Sequence, residues 1–194
     1  PQIIIMTDNC YGEFVETSEP VGDDIDIIAG SLIKNAGGGF APTGGYVAGK
    51  EYYVDKISHR LAAPGLGGEI GSYAGSYMPF FQGLFMAPHI VSQALMGVTL
   101  ISKVMEKAGF EVLPTSDSKR YDRTQTVVFK NPDKMIAFIR GIQASSAVDG
   151  NVVPYPWDMP GYNDQVIMAA GTFVQGSSIE LSADGPIREP YAAY

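Results

Sequence analysis

Two stretches decide the fold: QIIIMTDN (2–9) and IDIIAGSLIKNAGGG (25–39). Each opens with a short apolar, β-branched run, the pattern of a strand buried on both faces of a sheet. We read strands over residues 2–7 and 25–29, the first ending in Asp8-Asn9 and the second in Gly30-Ser31. A third strand is expected over 45–48. Three short apolar strands with polar groups at their C-terminal ends point to an α/β sheet. In such a sheet, ligands bind outside the carboxyl ends of the strands.

Working outward, a helix is expected over 50–61, followed by a glycine-rich loop over 62–71. A second helix is expected over 88–108. Pro88 would sit in its first turn, apolar residues recur at helical spacing from Val91 to Met105, and Gly109 would stop it. At 1.5 Å per residue this helix would be about 30 Å long, enough to bridge two layers. Beyond it the pattern becomes α+β, with strands over 124–129, 166–173 and 178–182 and a helix over 132–145. We therefore divide the chain into 1–109, an α/β unit that includes the long helix, and 110–194, a smaller α+β domain.

Composition bounds the function. Of 194 residues, 45% are hydrophobic, enough for a packed core, and 18% are charged, below the roughly 25% of an average soluble domain. Part of the surface is therefore expected to lie against another domain, a partner subunit or further chain. A net charge of −8 argues against nucleic acid and against an anionic membrane surface as partners. The run from Ile70 to Ser102 lacks Asp, Glu, Lys and Arg, but Pro79, Gln82, Gly83, Pro88, His89, Ser92 and Gln93 interrupt it, so it reads as a buried interface rather than a membrane span. One cysteine, Cys10, and two histidines leave no basis for a disulfide framework or a zinc cluster, and no metal is expected. A cytoplasmic location fits best. The chain opens on Pro1 with a strand at once, and reads as an internal piece of a longer protein.

The informative feature is the pair of strand ends. Asp8 follows one buried strand, and Lys34 lies just past another, 34 − 8 = 26 residues on, about one strand-plus-crossover unit. Two opposite charges would then face one crevice. A pyridoxal-phosphate enzyme needs this pair: a lysine amine to form a Schiff base with the cofactor aldehyde, and a carboxylate to keep the pyridine nitrogen protonated. Ser31 could hydrogen-bond the cofactor phosphate, and glycines 37–39 would let backbone pass close to the cofactor. The plainer alternative makes Asp8 a turn or cap residue and Lys34 a solvated surface lysine. Tyr11 would either line the pocket or pack with its hydroxyl satisfied.

Four motifs carry a resemblance: DNCYGEFVE (8–16), GSLIKNAGGGFAPTGGYVAGK (30–50), PWDMPGY (156–162) and GTFVQGSSIELSADGPIREPY (171–191). Together they resemble the aluminium-resistance, methionine gamma-lyase-like family of fold-type-I pyridoxal-phosphate enzymes, over nearly the whole chain. The resemblance implies that 1–109 is the C-terminal part of an aminotransferase-like large domain and 110–194 the small domain. It implies pyridoxal 5′-phosphate as cofactor, Lys34 as the Schiff-base lysine and catalytic base, Asp8 as partner of the pyridine nitrogen, and Ser31 as a phosphate ligand. Ile33 stands where the wider superfamily carries a threonine. Arg188 is the candidate for the substrate α-carboxylate, the alternative being a surface arginine; Arg60 is a second arginine that could reach a neighbouring subunit. The family's phosphate loop and ring-stacking aromatic lie in an N-terminal segment, so this piece alone is expected to be inactive. The implied activity is a carbon–sulfur lyase of methionine gamma-lyase or cystathionine beta-lyase type, acting on a small sulfur amino acid in a dimer or tetramer. Transsulfuration or transamination on the same fold, or a non-catalytic α/β assembly module, are the competing readings. The subunit contact is expected at the 62–71 loop and the helix from Pro88.

Overall fold

In the computed structural model, which describes residues 3–22, 24–61 and 63–194, the chain forms a mixed α/β structure. The first unit is a three-stranded sheet of β1 (Met6–Asp8), β2 (Ile27–Ser31) and β3 (Gly45–Gly49), in that order. β1 runs parallel to β2, with Met6 opposite Ile27 and Asp8 opposite Ala29. β3 returns antiparallel, with Ser31 opposite Gly45. The parallel pair is the decisive feature, because it brings the carboxyl ends of both apolar strands to one edge.

The first strand departs from expectation. Gln2 lies outside the described residues, and the ladder starts only at Met6. Ile3 is 82% and Met6 60% exposed, so this strand is not buried on both faces. β1 has one neighbour, β2, and is a sheet edge. What ties it down is Asp26. Its Oδ2 accepts the Ile5 N–H at 2.9 Å, its own N–H donates to the Ile5 carbonyl at 2.9 Å, and its Oδ1 accepts Lys50 Nζ at 2.7 Å. β2 begins at Ile27 rather than Ile25: Asp26 is engaged in this clamp, and the Ile25 carbonyl accepts the Gly22 N–H at 3.4 Å.

α1 (Glu51–Leu61) lies close to its expected place. α2 (Met78–Lys107) does not: it starts ten residues early, with a proline, Pro79, in its first turn, and it runs straight through Pro88. At 30 residues it is about 45 Å long. An interior proline removes one rung of the ladder and crowds the preceding turn, a cost of about 3 kcal/mol. Packing on either side outweighs that loss. Ala87 and Val91 are fully buried, and at Gly83 the helix meets another backbone directly. That partner is the 3-10 turn Asn35–Gly37 and the glycine after it, Gly38 (φ 52°). A Cβ on Gly83 would stand 2.1 Å from the Gly37 carbonyl oxygen, and one on Gly38 2.5 Å from the Gly83 carbonyl oxygen. Of the glycines after Lys34, Gly38 therefore serves a close approach to a helix, while a Cβ on Gly37 would stand 1.7 Å from the Leu32 carbonyl oxygen. By length and composition α2 is also apolar enough to cross a membrane, with a mean hydropathy of 1.6 over its best window.

After Gly109 (φ 86°) the chain forms β4 (Glu111–Leu113), β5 (Thr126–Val128), α3 (Pro132–Ala144), β6 (Val166–Ala169), β7 (Ala183–Pro186) and β8 (Ala192–Ala193). β4, β5 and β8 form one antiparallel sheet, and β6 pairs with β7. α3 starts at its expected place: Asn131 caps it, its side chain accepting the Lys134 N–H at 2.9 Å, and Pro132 opens the first turn. Met135 and Ile139 of α3 are fully buried against Val112, Val127, Ile167 and Ala193. β6 stops at Ala169, short of the expected Phe173, because the Ala170 N–H turns to the Gln143 side chain at 3.0 Å. Residues 178–182, read as a strand, are irregular chain. Glu180 folds back there to accept from the Phe173 N–H and the Ser177 hydroxyl, each at 3.3 Å, and pairing with β6 begins only at Ala183.

The Gly83 contact yields a test. Gly83→Ala must separate two backbones and is expected to cost roughly 2–3 kcal/mol, read as a lower denaturation midpoint. Gly97→Ala, on the same helix with nothing within 4 Å of the added carbon, should be neutral or stabilising by up to about 1 kcal/mol.

Candidate functional site

The parallel pairing of β1 and β2 sets Asp8 at the end of one strand and Ser31 at the end of the next. Lys34 follows three residues later, its N–H donating to the Ser31 carbonyl at 3.4 Å. Asp8 is exposed at this edge. Its Oδ1 accepts the Cys10 N–H at 3.0 Å. That bond, with help from the Cys10 thiol and the nearby Lys34 charge, holds the Asp8 carboxyl below its ordinary range. Burial pushes the Cys10 thiol up, which keeps it protonated.

Lys34 is half-buried, and its Nζ sits 4.3 Å from the centre of the Tyr11 ring. Burial pulls its amine down, but the hydrogen bond and charge of Tyr11, together with Cys10, outweigh that and leave it above its ordinary value. The edge thus presents an ionised carboxylate and a protonated amine side by side. Tyr11 takes an αL backbone (φ 71°), uncommon for a residue with a Cβ, and so does Phe14 (φ 62°). The loop carrying them is held by the Asn9 N–H on the Ala29 carbonyl at 2.8 Å and the Phe14 N–H on Glu19 at 3.1 Å. It is also held by Glu13, which is 3% exposed and accepts the Tyr46 hydroxyl at 2.9 Å. Burial raises the Glu13 carboxyl above its usual range. Gly30 makes room for it: a Cβ there would stand 2.5 Å from Glu13 Oε1.

The residue that sequence reading missed is Arg123. It is 8% exposed and forks across three segments. Its Nε donates to Asn35 Oδ1, and its terminal nitrogens donate to the Ser178 carbonyl at 2.8 Å and hydroxyl at 3.1 Å. Its guanidinium carbon lies 4.9 Å from the Tyr11 ring centre. Asn35, fully buried, passes the link on by donating to the Glu13 carbonyl at 3.0 Å. In the sequence Arg123 stands in RYDRTQ (120–125), which reads as a polar surface turn, and no local signal marks it. Tyr11 and Arg123 help line a cavity of about 480 Å³ between α2 and the second unit. Its lining includes apolar Val98, Ile101 and Phe138, with Gln93, Gln125, Glu180 and Asp184 among its polar residues; burial raises the Asp184 carboxyl above its usual range.

The two arginines named from the sequence lie elsewhere. Arg188 is exposed and pairs with Asp164 at 3.4 Å, outside the cavity lining. Arg60 is exposed in the last turn of α1. Lys34, Asp8, Ser31 and Tyr11 do come together at the sheet edge.

The model of the methionine gamma-lyase family matches residues 1–194. The chain belongs to that family. It is 54% identical over 192 residues to the uncharacterized protein YnbB of Bacillus subtilis (strain 168), covering 99% of this chain and 46% of that one. It is 50% identical over 194 residues to an uncharacterized 33.9 kDa protein in the glnA 5′ region of Lactobacillus delbrueckii subsp. bulgaricus, covering 100% of this chain and 63% of that one. Among solved structures, it superposes with TM-score 0.94 and 53% identity on a candidate cystathionine beta-lyase involved in aluminum resistance from Listeria monocytogenes, over 98% of this chain and 47% of that one. A carbon-sulfur lyase involved in aluminum resistance from Clostridium novyi NT gives TM-score 0.92 and 57% identity, over 98% and 44%. The chain spans about half the length of these relatives.

Asn35 tests the network. Asn35→Leu keeps the volume but strips a buried guanidinium of an acceptor and the Glu13 carbonyl of a donor. It is expected to cost roughly 2–3 kcal/mol in denaturant unfolding.

Proposed function

We propose that the full-length protein is a pyridoxal-phosphate-dependent carbon–sulfur lyase acting on a sulfur amino acid, of the methionine gamma-lyase or cystathionine beta-lyase type. The observation that carries this reading is the sheet edge, where an ionised Asp8 and the Lys34 amine stand at the adjoining carboxyl ends of parallel strands. The donor set fits the cofactor. Lys34 would attach it, Asp8 would hold the proton on its ring nitrogen, and Ser31 would meet its phosphate, with residues 1–109 acting as part of a large domain and 110–194 as the small one. Bound there, pyridoxal phosphate supplies an electron sink for a carbanion at the substrate α-carbon. In its neutral form Lys34 Nζ would take the α-proton; in a β-elimination the electron pair left on the α-carbon would form the Cα–Cβ double bond as the carbon–sulfur bond breaks, and the departing thiolate would take up a proton to leave as thiol. The cavity beyond Tyr11, largely apolar, suits a thioether side chain. Arg188, exposed beside Asp164, would meet the substrate α-carboxylate.

Borohydride reduction of the cofactor-loaded full-length protein, followed by peptide mapping, should place the label on Lys34; a label on Lys50 or Lys56 overturns the assignment. Asp8→Asn should keep attachment and lose most turnover, and near-normal turnover would remove Asp8 from this role. Product analysis with methionine, cystathionine and cysteine identifies the reaction: release of thiol and ammonia supports a lyase, and amino transfer without thiol release refutes it.

We also propose self-association in the cytoplasm. α2 presents Phe81 (67% exposed), Phe85 (83%), Met96 (57%) and Leu100 (65%) along one side, more apolar surface than soluble monomers leave in water. Together with the 62–71 loop, of which Ala62 is outside the described residues, this is the expected contact. Sedimentation of the full-length protein should give a dimer or larger; a monomer across a wide concentration range rules the contact out.

A further inference from the structure

We propose that Arg123 is a positioning residue for Lys34, acting through the Tyr11 ring and the Asn35 side chain that its guanidinium holds in place. The geometry is specific. One guanidinium reaches Asn35, the residue next to Lys34, and Ser178 on the irregular chain before β7. The Ser178 hydroxyl in turn contacts the Tyr11 hydroxyl at 3.4 Å. The ring so held carries two cations, Lys34 Nζ at 4.3 Å and the Arg123 carbon at 4.9 Å from its centre. Tyr11 also adopts a backbone conformation that its own Cβ disfavours, in a loop tied down by the Asn9 N–H on the Ala29 carbonyl at 2.8 Å.

Charge and geometry pull Lys34 in opposite directions, which makes the inference testable. The groups facing the amine are Asp8 at the end of β1, Cys10 and Tyr11 in the loop after it, and Arg123 behind the ring. Arg123's charge alone would repel a protonated Lys34 and lower its amine. The hydrogen bond and charge of Tyr11 raise it, and its ring lies against the amine at 4.3 Å. If Arg123 acts by holding Tyr11, its loss lets the ring drift, and the Lys34 amine falls. If Arg123 acts only as a charge, its loss lets the amine rise.

The experiment uses cofactor-free full-length protein. Competitive acetylation with acetic anhydride across a pH series, read by peptide mass spectrometry, gives the titration midpoint of Lys34. Arg123→Met is expected to move that midpoint down by about half a unit, the worth of one cation–ring contact. Arg123→Lys, which restores the charge but not the fork, should also lower it. Ser178→Ala should lower it less, and it serves if the Arg123 variants do not fold. Ile139→Ala, a cavity in the α3 core, should lower stability and leave the midpoint alone. An unchanged or raised midpoint in Arg123→Met, a wild-type midpoint in Arg123→Lys, or, where only Ser178→Ala folds, no shift in it, overturns the proposal. The inference takes its functional meaning from the reading of Lys34 as the attachment point, but the two fail separately. A borohydride label elsewhere leaves the Arg123–Lys34 coupling standing, and a flat midpoint leaves the attachment standing.

Discussion

A guanidinium removed from water has to be met by acceptors, because its charge loses several kcal/mol of hydration on burial. At Arg123 that requirement organises the molecule. The fork needs Asn35, which immediately follows Lys34, and Ser178, 55 positions further along the chain than Arg123 itself. Satisfying one side chain therefore fixes the lysine segment, the loop after β1 and the chain before β7 relative to one another. The same contact makes the Tyr11 ring a shared wall, with the Lys34 amine against it and the apolar cavity beginning where ring and guanidinium meet.

The second constraint is the backbone contact between Gly83 and the turn after Lys34. Two backbones this close exclude side chains on both partners, so glycine is required on each. The contact anchors the N-terminal half of α2 under the lysine segment. From the other side Gly30 admits the buried Glu13, whose main-chain carbonyl holds Asn35. Lys34 is thus supported by α2 from one side and by the loop after β1 from the other. Such a support suits an amine that has to act at a defined position rather than sweep through solvent.

Beyond this centre the described residues expose apolar faces. β1 is an edge strand preceded by the exposed Ile3, Ile4 and Ile5, and one side of α2 is a run of exposed phenylalanine, methionine and leucine. The low share of charged residues, 18%, is the compositional counterpart of those faces. Relatives about twice as long share the family and superpose closely, and in them further chain is available to lie against such surfaces.

The sequence by itself determined the local elements and what they carry. β-branched runs marked β2, the approach to β1 and the ends at which Asp8, Ser31 and Lys34 stand, and the helix expected from Pro132 begins there, because strand pattern and helix-start chemistry operate within a few residues. Only the tertiary structure decided the rest. Pro88 looked like a helix start until Pro79 took that place and packing at Gly83, Ala87 and Val91 carried the helix through. Gly38, one of the glycines after Lys34, meets the backbone of α2 at Gly83, a contact no local pattern announced. Arg188 matched a motif yet lies exposed beside Asp164, while Arg123, in a segment with no signal, is buried at the centre. In each case the deciding partner is many residues away in the chain, and burial, close approach and acceptor supply are properties of that partner, which no local pattern encodes.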